Sequence, residues 1–335
     1  VPHNLRPRFV SYHCMPQRLR SAIYTLLKLG FSVGLMTVAL RGVELVVLWR
    51  VVRGFDARWL AAALAVYGVM VSVSVWRWQL LLRAQAVDLP TRMLSQSFWV
   101  ALFFNNLLPS NLGGDLIRIA DTAGPAGSRT LATTVVLVDR LLGLVALFVV
   151  ASVGATAATA LGIPVQGAGW ITAGTGAALA LGLPLLFAPG LLSRLMSPVQ
   201  SLGHPWLRSR AAQFEEALGR FRAQPSSIGG AFVGAIVVQA TLVVFYTLAA
   251  RSLHIPLPLT LAGILIPVSL AVQMAPVSIN GFGVREAVFV YFFGRFGLNR
   301  ESAVALSLFG TALTMGLSMV GGVMFIGRKA GRADG

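Results

Sequence analysis

FFNNLLPSNLGGDLIR, residues 103–118, decides how this chain is read. An apolar lead-in reaches Asn105 and Asn106, then a Pro-Ser-Asn turn containing Ser110 and Asn111, then Gly113 and Gly114. Asp115 and Arg118 follow, one helical turn apart. Pro, Gly, Asn and Ser are ordinary turn formers, so in a soluble protein this is a surface loop. The rest of the chain changes that meaning. Of its 335 residues, 56% are hydrophobic and 11% charged, whereas globular domains carry about a quarter charged residues. Several apolar runs reach the roughly 20 residues needed to cross about 30 Å of hydrocarbon. Alternating ten-residue strands, the mark of an outer-membrane barrel, are absent. The expected fold class is an all-α polytopic membrane protein.

A second stretch, QMAPVSINGFGVRE at 273–286, has the same character: Gln273, Ser278, Asn280, Gly281 and Gly283 lead into Arg285 and Glu286. Each stretch follows an apolar arm of 15 residues, 94–108 and 261–275. At 1.5 Å per residue such an arm covers roughly 22 Å, short of the membrane. Around these arms the chain predicts full spans over 22–40, 59–82, 130–153, 168–192, 226–250 and 302–327. Residues 1–20 read as a cytoplasmic tail and 22–40 as a retained span, longer than a signal-peptide core. Residues 41–58 suit an interfacial segment, and 210–221 an amphipathic helix. Trp76 and Trp78 fit the aromatic belt, with Arg77 between them as an interface anchor.

The order is span, interfacial segment, span, short broken hairpin, span, and then the same again. Three crossings per unit is an odd number, so the second unit (168–327) is expected to be inverted relative to the first (22–153). The whole chain then forms a single integral membrane domain: an inverted repeat of three spans each plus two re-entrant broken-helix hairpins. Inverted repeats whose broken elements meet near the midplane form substrate sites in transporters.

The chain has 27 basic and 11 acidic residues, a net charge of +16. The basic residues lie between apolar runs, which suits orientation in the membrane and attraction to anionic headgroups better than nucleic-acid binding. With both termini cytoplasmic, 17 basic residues fall inside and seven outside, Arg118 and Lys28 (within the first span) being counted inside. Arg77, Arg140 and Arg285 remain at membrane depth. Cys14 is the sole cysteine, and four scattered histidines fit no metal spacing, so neither a disulfide, a metal nor a cofactor is expected. No H-E-x-x-H, G-x-S-x-G or P-loop is present.

Non-helical backbone at membrane depth persists where protein or water satisfies its polar groups, and intramembrane charges are usually paired or functional. The candidate substrate-binding residues are therefore Asn105, Asn106, Ser110, Asn111, Gly113, Gly114, Asp115 and Arg118 at the first break. At the second they are Gln273, Ser278, Asn280, Gly281, Gly283, Arg285 and Glu286, and Asp139 and Arg140 join them from the span between. Helices starting after Gly114 and Gly283 point N–H groups at an anion, and an Arg adds a phosphate contact. Neighbours in sequence do not face each other on a helix, so Asp139 is expected to meet Arg118, and Glu286 a basic group in the other unit. The alternatives are a plain loop between tilted spans and, for Asp139 and Arg140, a structural ion pair. The Phe-rich run 289–296 reads as packing or lipid-facing surface.

NNLLPSNLGGDLIR (105–118), VDRLLGL (138–144) and APVSINGFGVREA (275–287), with WRWQLLL at 76–82, resemble the membrane region of the lysylphosphatidylglycerol synthase (multiple peptide resistance factor) family, including its stand-alone members. In that family this region is regarded as the lipid flippase, and a separate soluble domain transfers the aminoacyl group. The sequence ends about eight residues after the last span, so the resemblance implies translocation without synthesis, in a bacterial cytoplasmic (inner) membrane. The expected substrate is an anionic or aminoacylated phospholipid, lysylphosphatidylglycerol-like, or a lipid-linked headgroup. The alternatives are a membrane enzyme or accessory subunit acting on lipid-linked sugars, and a scaffold recruiting a soluble partner through 193–225. A homodimer is a further expected partner arrangement.

Overall fold

A computed structural model describes residues 37, 49, 53–107, 113–163, 168–187, 205–273 and 281–333. The expected first span, most of the interfacial segment, and Ser110, Asn111, Ser278 and Asn280 lie outside the described residues. The described residues form helices and no strand. In chain order these are α1 (Ala57–Arg83), α2 (Thr91–Leu107), α3 (Gly113–Ala123), α4 (Arg129–Ala160) and α5 (Ala168–Phe187). They continue with α6 (Pro205–Ala223), α7 (Pro225–Ser252), α8 (Leu259–Gln273), α9 (Val284–Arg295) and α10 (Arg300–Ala333).

Four of them, α1, α4, α7 and α10, are long and apolar enough to cross a membrane. The span expected at 130–153 extends to Ala160, because 154–160 (GATAATA) contains no helix breaker stronger than its single glycine. Helix α5 is the described part of the expected fourth span, and α6 contains the expected amphipathic segment. The two arms are short: α2 has 17 residues and α8 has 15.

Helices α1 and α7 pack together antiparallel along their length. Asp56 N–H, at the start of α1, donates to Ser252 O at the end of α7 (2.8 Å). Tyr67 meets Phe245 at midlength with ring centroids 5.5 Å apart, and Gly234 lies under Trp76 and Arg77. Each arm crosses a long helix of the opposite half, α8 on α4 and α2 on α10. Glycine makes both crossings possible. A Cβ on Gly154 of α4 would lie 2.7 Å from the carbonyl carbon of Gly263 in α8. A Cβ on Gly321 of α10 would collide with the Trp99 carbonyl of α2 and lie 3.0 Å from Val100 N. Small residues at helix crossings in membranes let backbones approach in this way.

The Phe-rich run divides by face. Phe289 is buried against Tyr246 and stacks on the buried Phe293, whereas Tyr291 is exposed. Trp76 is exposed as an interfacial residue should be, but Trp78 is fully buried (0%) and belongs to the core.

Candidate functional site

The first break builds an ion-pair ladder. Gly114 N–H donates to Asn105 Oδ1 at 2.7 Å, folding the start of α3 back on the end of α2. The fit is close: a Cβ on Gly114 would lie 2.5 Å from Ala101 O. This places Asp115 and Arg118 of α3 against Asp139 and Arg140 of α4. Arg118 Nη1 donates to Asp139 Oδ2 at 3.0 Å, the expected pairing, and lies 3.9 Å from Asp115 Oδ1. Arg140 Nε donates to Asp115 Oδ2. The fifth member is Arg77, whose Nε lies 2.7 Å from Asp139 Oδ1. That contact is an ion pair whose angle falls outside hydrogen-bond geometry.

Arg77 is therefore not the interface anchor its flanking tryptophans suggest. It is 8% exposed and faces the bundle, because the residues on one face of α1 are set by packing on α4 and α7. Arg118, counted on the cytoplasmic side from sequence, is likewise buried, and its guanidinium lies 4.4 Å over the Trp78 ring. Asp139 is 3% exposed. A buried carboxylate shared by two guanidiniums satisfies the requirement that charges in a low-dielectric interior be paired. Three guanidiniums against two carboxylates leave the ladder with one surplus positive charge. The Arg140 end is its wettest, with that side chain 31% exposed.

The second break builds a smaller network. Gly283 has φ 81°, a left-handed conformation that glycine adopts without steric cost. Its N–H donates to Glu286 Oε2 at 2.7 Å. Ser307 of α10 donates to Glu286 Oε1 (2.7 Å) and accepts from Arg285 Nε (3.2 Å). Arg285 Nε and Glu286 Oε1 are 3.5 Å apart. The expectation that Glu286 meets a basic group of the other unit is thus corrected. Its described partners are Gly283, Ser307 and Arg285, because the serine hydroxyl joins two sequence neighbours that a helix alone would hold apart. Glu286 also occupies a first-turn donor of α9 that the sequence reading left for an anion. Ser307 carried no signal in the sequence, being one of several serines on an apolar helix. Its replacement by alanine leaves Oε1 of the fully buried Glu286 without its hydroxyl donor and is expected to cost about 1–3 kcal/mol. Thermal unfolding in detergent reads this, and an unchanged midpoint would remove Ser307 from the network.

Between the halves lies a cavity of about 390 Å³. The ends of both arms line it: Asn105 and Asn106 from α2, and Gln273 from α8. Arg140 from α4, Gln239 from α7, Thr314 from α10 and Tyr67 from α1 add polar groups, and leucines from α2, α4, α7 and α8 complete the wall. Arg118 and Arg285 do not line it, so they do not share a cavity as their sequence positions suggest. Arg118 is turned into the ladder and Arg285 toward Ser307. Gly281, at φ 75°, abuts the Gln273 side chain. Sequence reasoning missed Gln239, Tyr67 and Thr314, which sit in unbroken spans. Gln239 in the middle of an apolar run was their one visible signal.

Six helices thus contribute to an open, largely apolar cavity with several polar groups on its wall, in a bundle whose long apolar helices are those of an integral membrane protein. A family model for the lysylphosphatidylglycerol synthase TM region matches residues 25–322. The chain belongs to that family, as its motifs suggested. Comparison with curated proteins finds no match. Among the described residues no group of His, Cys, Asp and Glu could hold a metal.

Proposed function

We propose that this protein moves a phospholipid between the leaflets of the bacterial cytoplasmic membrane, with both termini cytoplasmic, and that it transports its lipid without altering it chemically. The observation that carries this reading is the cavity to which both arms bring their polar ends, Asn105 and Asn106 from one side and Gln273 from the other. A lipid crossing the hydrocarbon core needs partners for its headgroup, since an unsatisfied polar group there costs several kcal/mol, on the order of a hydrogen bond or more. Amides, hydroxyls and one guanidinium supply them here, while the leucine wall suits the upper part of the acyl chains. The inverted-repeat reading is supported by the antiparallel pairing of α1 with α7 and by the reciprocal crossings of α8 on α4 and α2 on α10. The two broken hairpins then open toward opposite leaflets in alternation.

The ladder behind Arg140 has a positional role in this mechanism. Asp115 holds the Arg140 guanidinium toward the cavity, and Asp139, Arg118 and Arg77 hold Asp115 and α3 in register. The test is reconstitution in liposomes containing fluorescent phospholipid, with dithionite quenching of the outer leaflet. Wild-type protein is expected to expose lipid from the inner leaflet. Asn106→Leu combined with Gln273→Leu removes two headgroup partners and is expected to slow movement roughly thirtyfold, from about 1 kcal/mol per hydrogen bond. Equal rates for the variant and wild type sink the assignment of the cavity. Chemical alteration of the lipid by the purified protein would instead support an enzyme.

A further inference from the structure

Helix α3 is amphipathic in the reverse sense. Asp115, Arg118 and Thr122 recur at helical spacing and are all buried, and Thr122 Oγ1 donates to the Arg118 carbonyl at 2.7 Å. The apolar residues face away: Leu116 is 62% exposed, Ala120 is exposed, and Ile119 and Ala123 are half-buried. A helix beside water turns its apolar stripe toward the protein. One that turns its charges inward and leucine outward has hydrocarbon outside it. A groove of about 630 Å³ runs along this outward face to the start of α4. Leu116, Ile119, Ala120 and Ala123 wall it over roughly 10 Å of helix, at 1.5 Å per residue. Gly127 (φ 65°) then turns the chain, and Arg129 stands at the groove's end. Arg129 is exposed and has no ion-pair partner among the described residues, and the described lining contains no carboxylate. Ser128 is already engaged, donating to Gln213 Oε1 and accepting from Leu131 N–H. A second groove, of about 600 Å³, lies on the other flank of α3, against α2 and α10. It also reaches an arginine, Arg328, but there Asp121 balances the guanidinium at 2.9 Å.

We infer that the groove between α3 and the start of α4 seats an anionic phospholipid, with an acyl chain along Leu116, Ile119, Ala120 and Ala123 and the phosphate at Arg129. The site shares no lining residue with the cavity between the arms. The occupant is assigned from the membrane class of the chain and does not depend on translocation. Hydrocarbon covers an outward face that water would leave unfavourably exposed. An exposed guanidinium without a counter-charge attracts anionic headgroups, and its fork of N–H donors matches phosphate oxygens. A zwitterionic lipid offers the same phosphate, but its ammonium finds no carboxylate in the described lining. The groove at Arg328 carries no such preference, because Asp121 already supplies the negative charge. The seated lipid backs the helix that carries Asp115 and Arg118, on the side away from the ladder.

The experiment is photo-crosslinking of the intact chain in phosphatidylcholine nanodiscs. Trace phosphatidylglycerol or phosphatidylcholine carries a diazirine on its acyl chain, and mass spectrometry maps the labelled residues. Labelling within 116–123 is expected to be about fivefold stronger from the phosphatidylglycerol probe, the attraction of one arginine at a membrane surface. The ratio should fall toward one at about 1 M salt, since Arg129 is exposed and its field is screened. Arg129→Gln is expected to bring the ratio to about one and Arg129→Lys to keep most of it, whereas Arg328→Gln leaves it unchanged. Melting curves of the three variants confirm that they are folded. No labelling of α3, equal labelling by the two probes, or an unchanged ratio in Arg129→Gln would each overturn the site. Crosslinks from 116–123 to a second copy of the chain would overturn it in favour of a protein contact. Displacement of the phosphatidylglycerol probe by inorganic phosphate as readily as by unlabelled phosphatidylglycerol would overturn it in favour of a free anion.

Discussion

Replacing Asp139 by leucine is expected to lower the unfolding free energy in detergent by about 3–5 kcal/mol, the cost of leaving buried charges without their partner. Asp139 is the hinge of the ladder, touching Arg77 through one oxygen and Arg118 through the other. Without it two guanidiniums face each other inside the bundle. Both already carry buried nitrogens with no hydrogen-bond partner, Nε of Arg77 and Nε and Nη2 of Arg118, so the site has no spare acceptors. Asp115→Asn is the informative comparison. It weakens the contact to Arg140, whose side chain is partly exposed and can be hydrated, while Arg118 keeps Asp139. Its expected loss is about 1 kcal/mol, near the range for partly exposed pairs. Adding Arg77→Leu to Asp139→Leu should recover part of the larger loss, because the second change removes one of the stranded charges. If Asp139→Leu and Asp115→Asn shift the unfolding midpoint equally, the ladder is not organised around Asp139.

The second large effect is steric. Gly154→Ala and Gly321→Ala are each expected to cost about 1–3 kcal/mol, the range for overpacking a tight contact. In both cases the added carbon meets helix backbone, Gly263 or Trp99, which cannot rotate aside. Gly68→Ala and Gly316→Ala supply the opposite sign. Nothing lies within 4 Å of a Cβ at either, so alanine there should be neutral or stabilising by up to about 1 kcal/mol through helix propensity. The two damaging changes also predict slower lipid movement, since α8 and α2 carry Gln273 and Asn105 into the cavity. Detergent melting curves and the liposome assay test both halves of the prediction. Equal behaviour of all four alanine variants would mean that the crossings are not close-packed.

Much of the helical layout was legible in the sequence, for physical reasons that act locally. An apolar run long enough to cross hydrocarbon has no other stable place, and clustered turn formers, as at 109–114 and 280–283 in the sequence, favour a helix end, whereas the lone Pro267 is carried inside α8. The two short arms, α1 and α7 therefore lie close to their expected bounds and α6 contains its expected segment, whereas α4 runs on to Ala160 and the first expected span lies outside the described residues. The pairing of Asp139 with Arg118 was also readable, since a charge in the membrane needs a partner and i,i+1 neighbours cannot provide it. The partners that were misjudged depend on helix rotation. Arg77 reads as an anchor between two tryptophans, yet successive residues on a helix point about 100° apart. Trp76 faces outward while Arg77 and Trp78 face the bundle. Glu286 was assigned a distant partner because nothing in SLFGTALT marks Ser307 as the residue that reaches it.

The sequence by itself determined the membrane class, the family, and the four long spans and two short arms found among the described residues. All of these follow from hydrophobicity, length and turn chemistry within a few dozen residues. Only the tertiary structure decided which polar residues meet. It turned Arg118 and Arg285 into closed networks, brought Arg77 to Asp139, and gathered Asn105, Asn106, Arg140, Gln239, Gln273 and Thr314 around one cavity. Such meetings depend on the rotation and crossing of helices far apart in the chain, set here by glycines that admit another backbone. The stretch 103–118 contributes both outcomes: Asn105 and Asn106 to the cavity, and Asp115 and Arg118 to the ladder beside it.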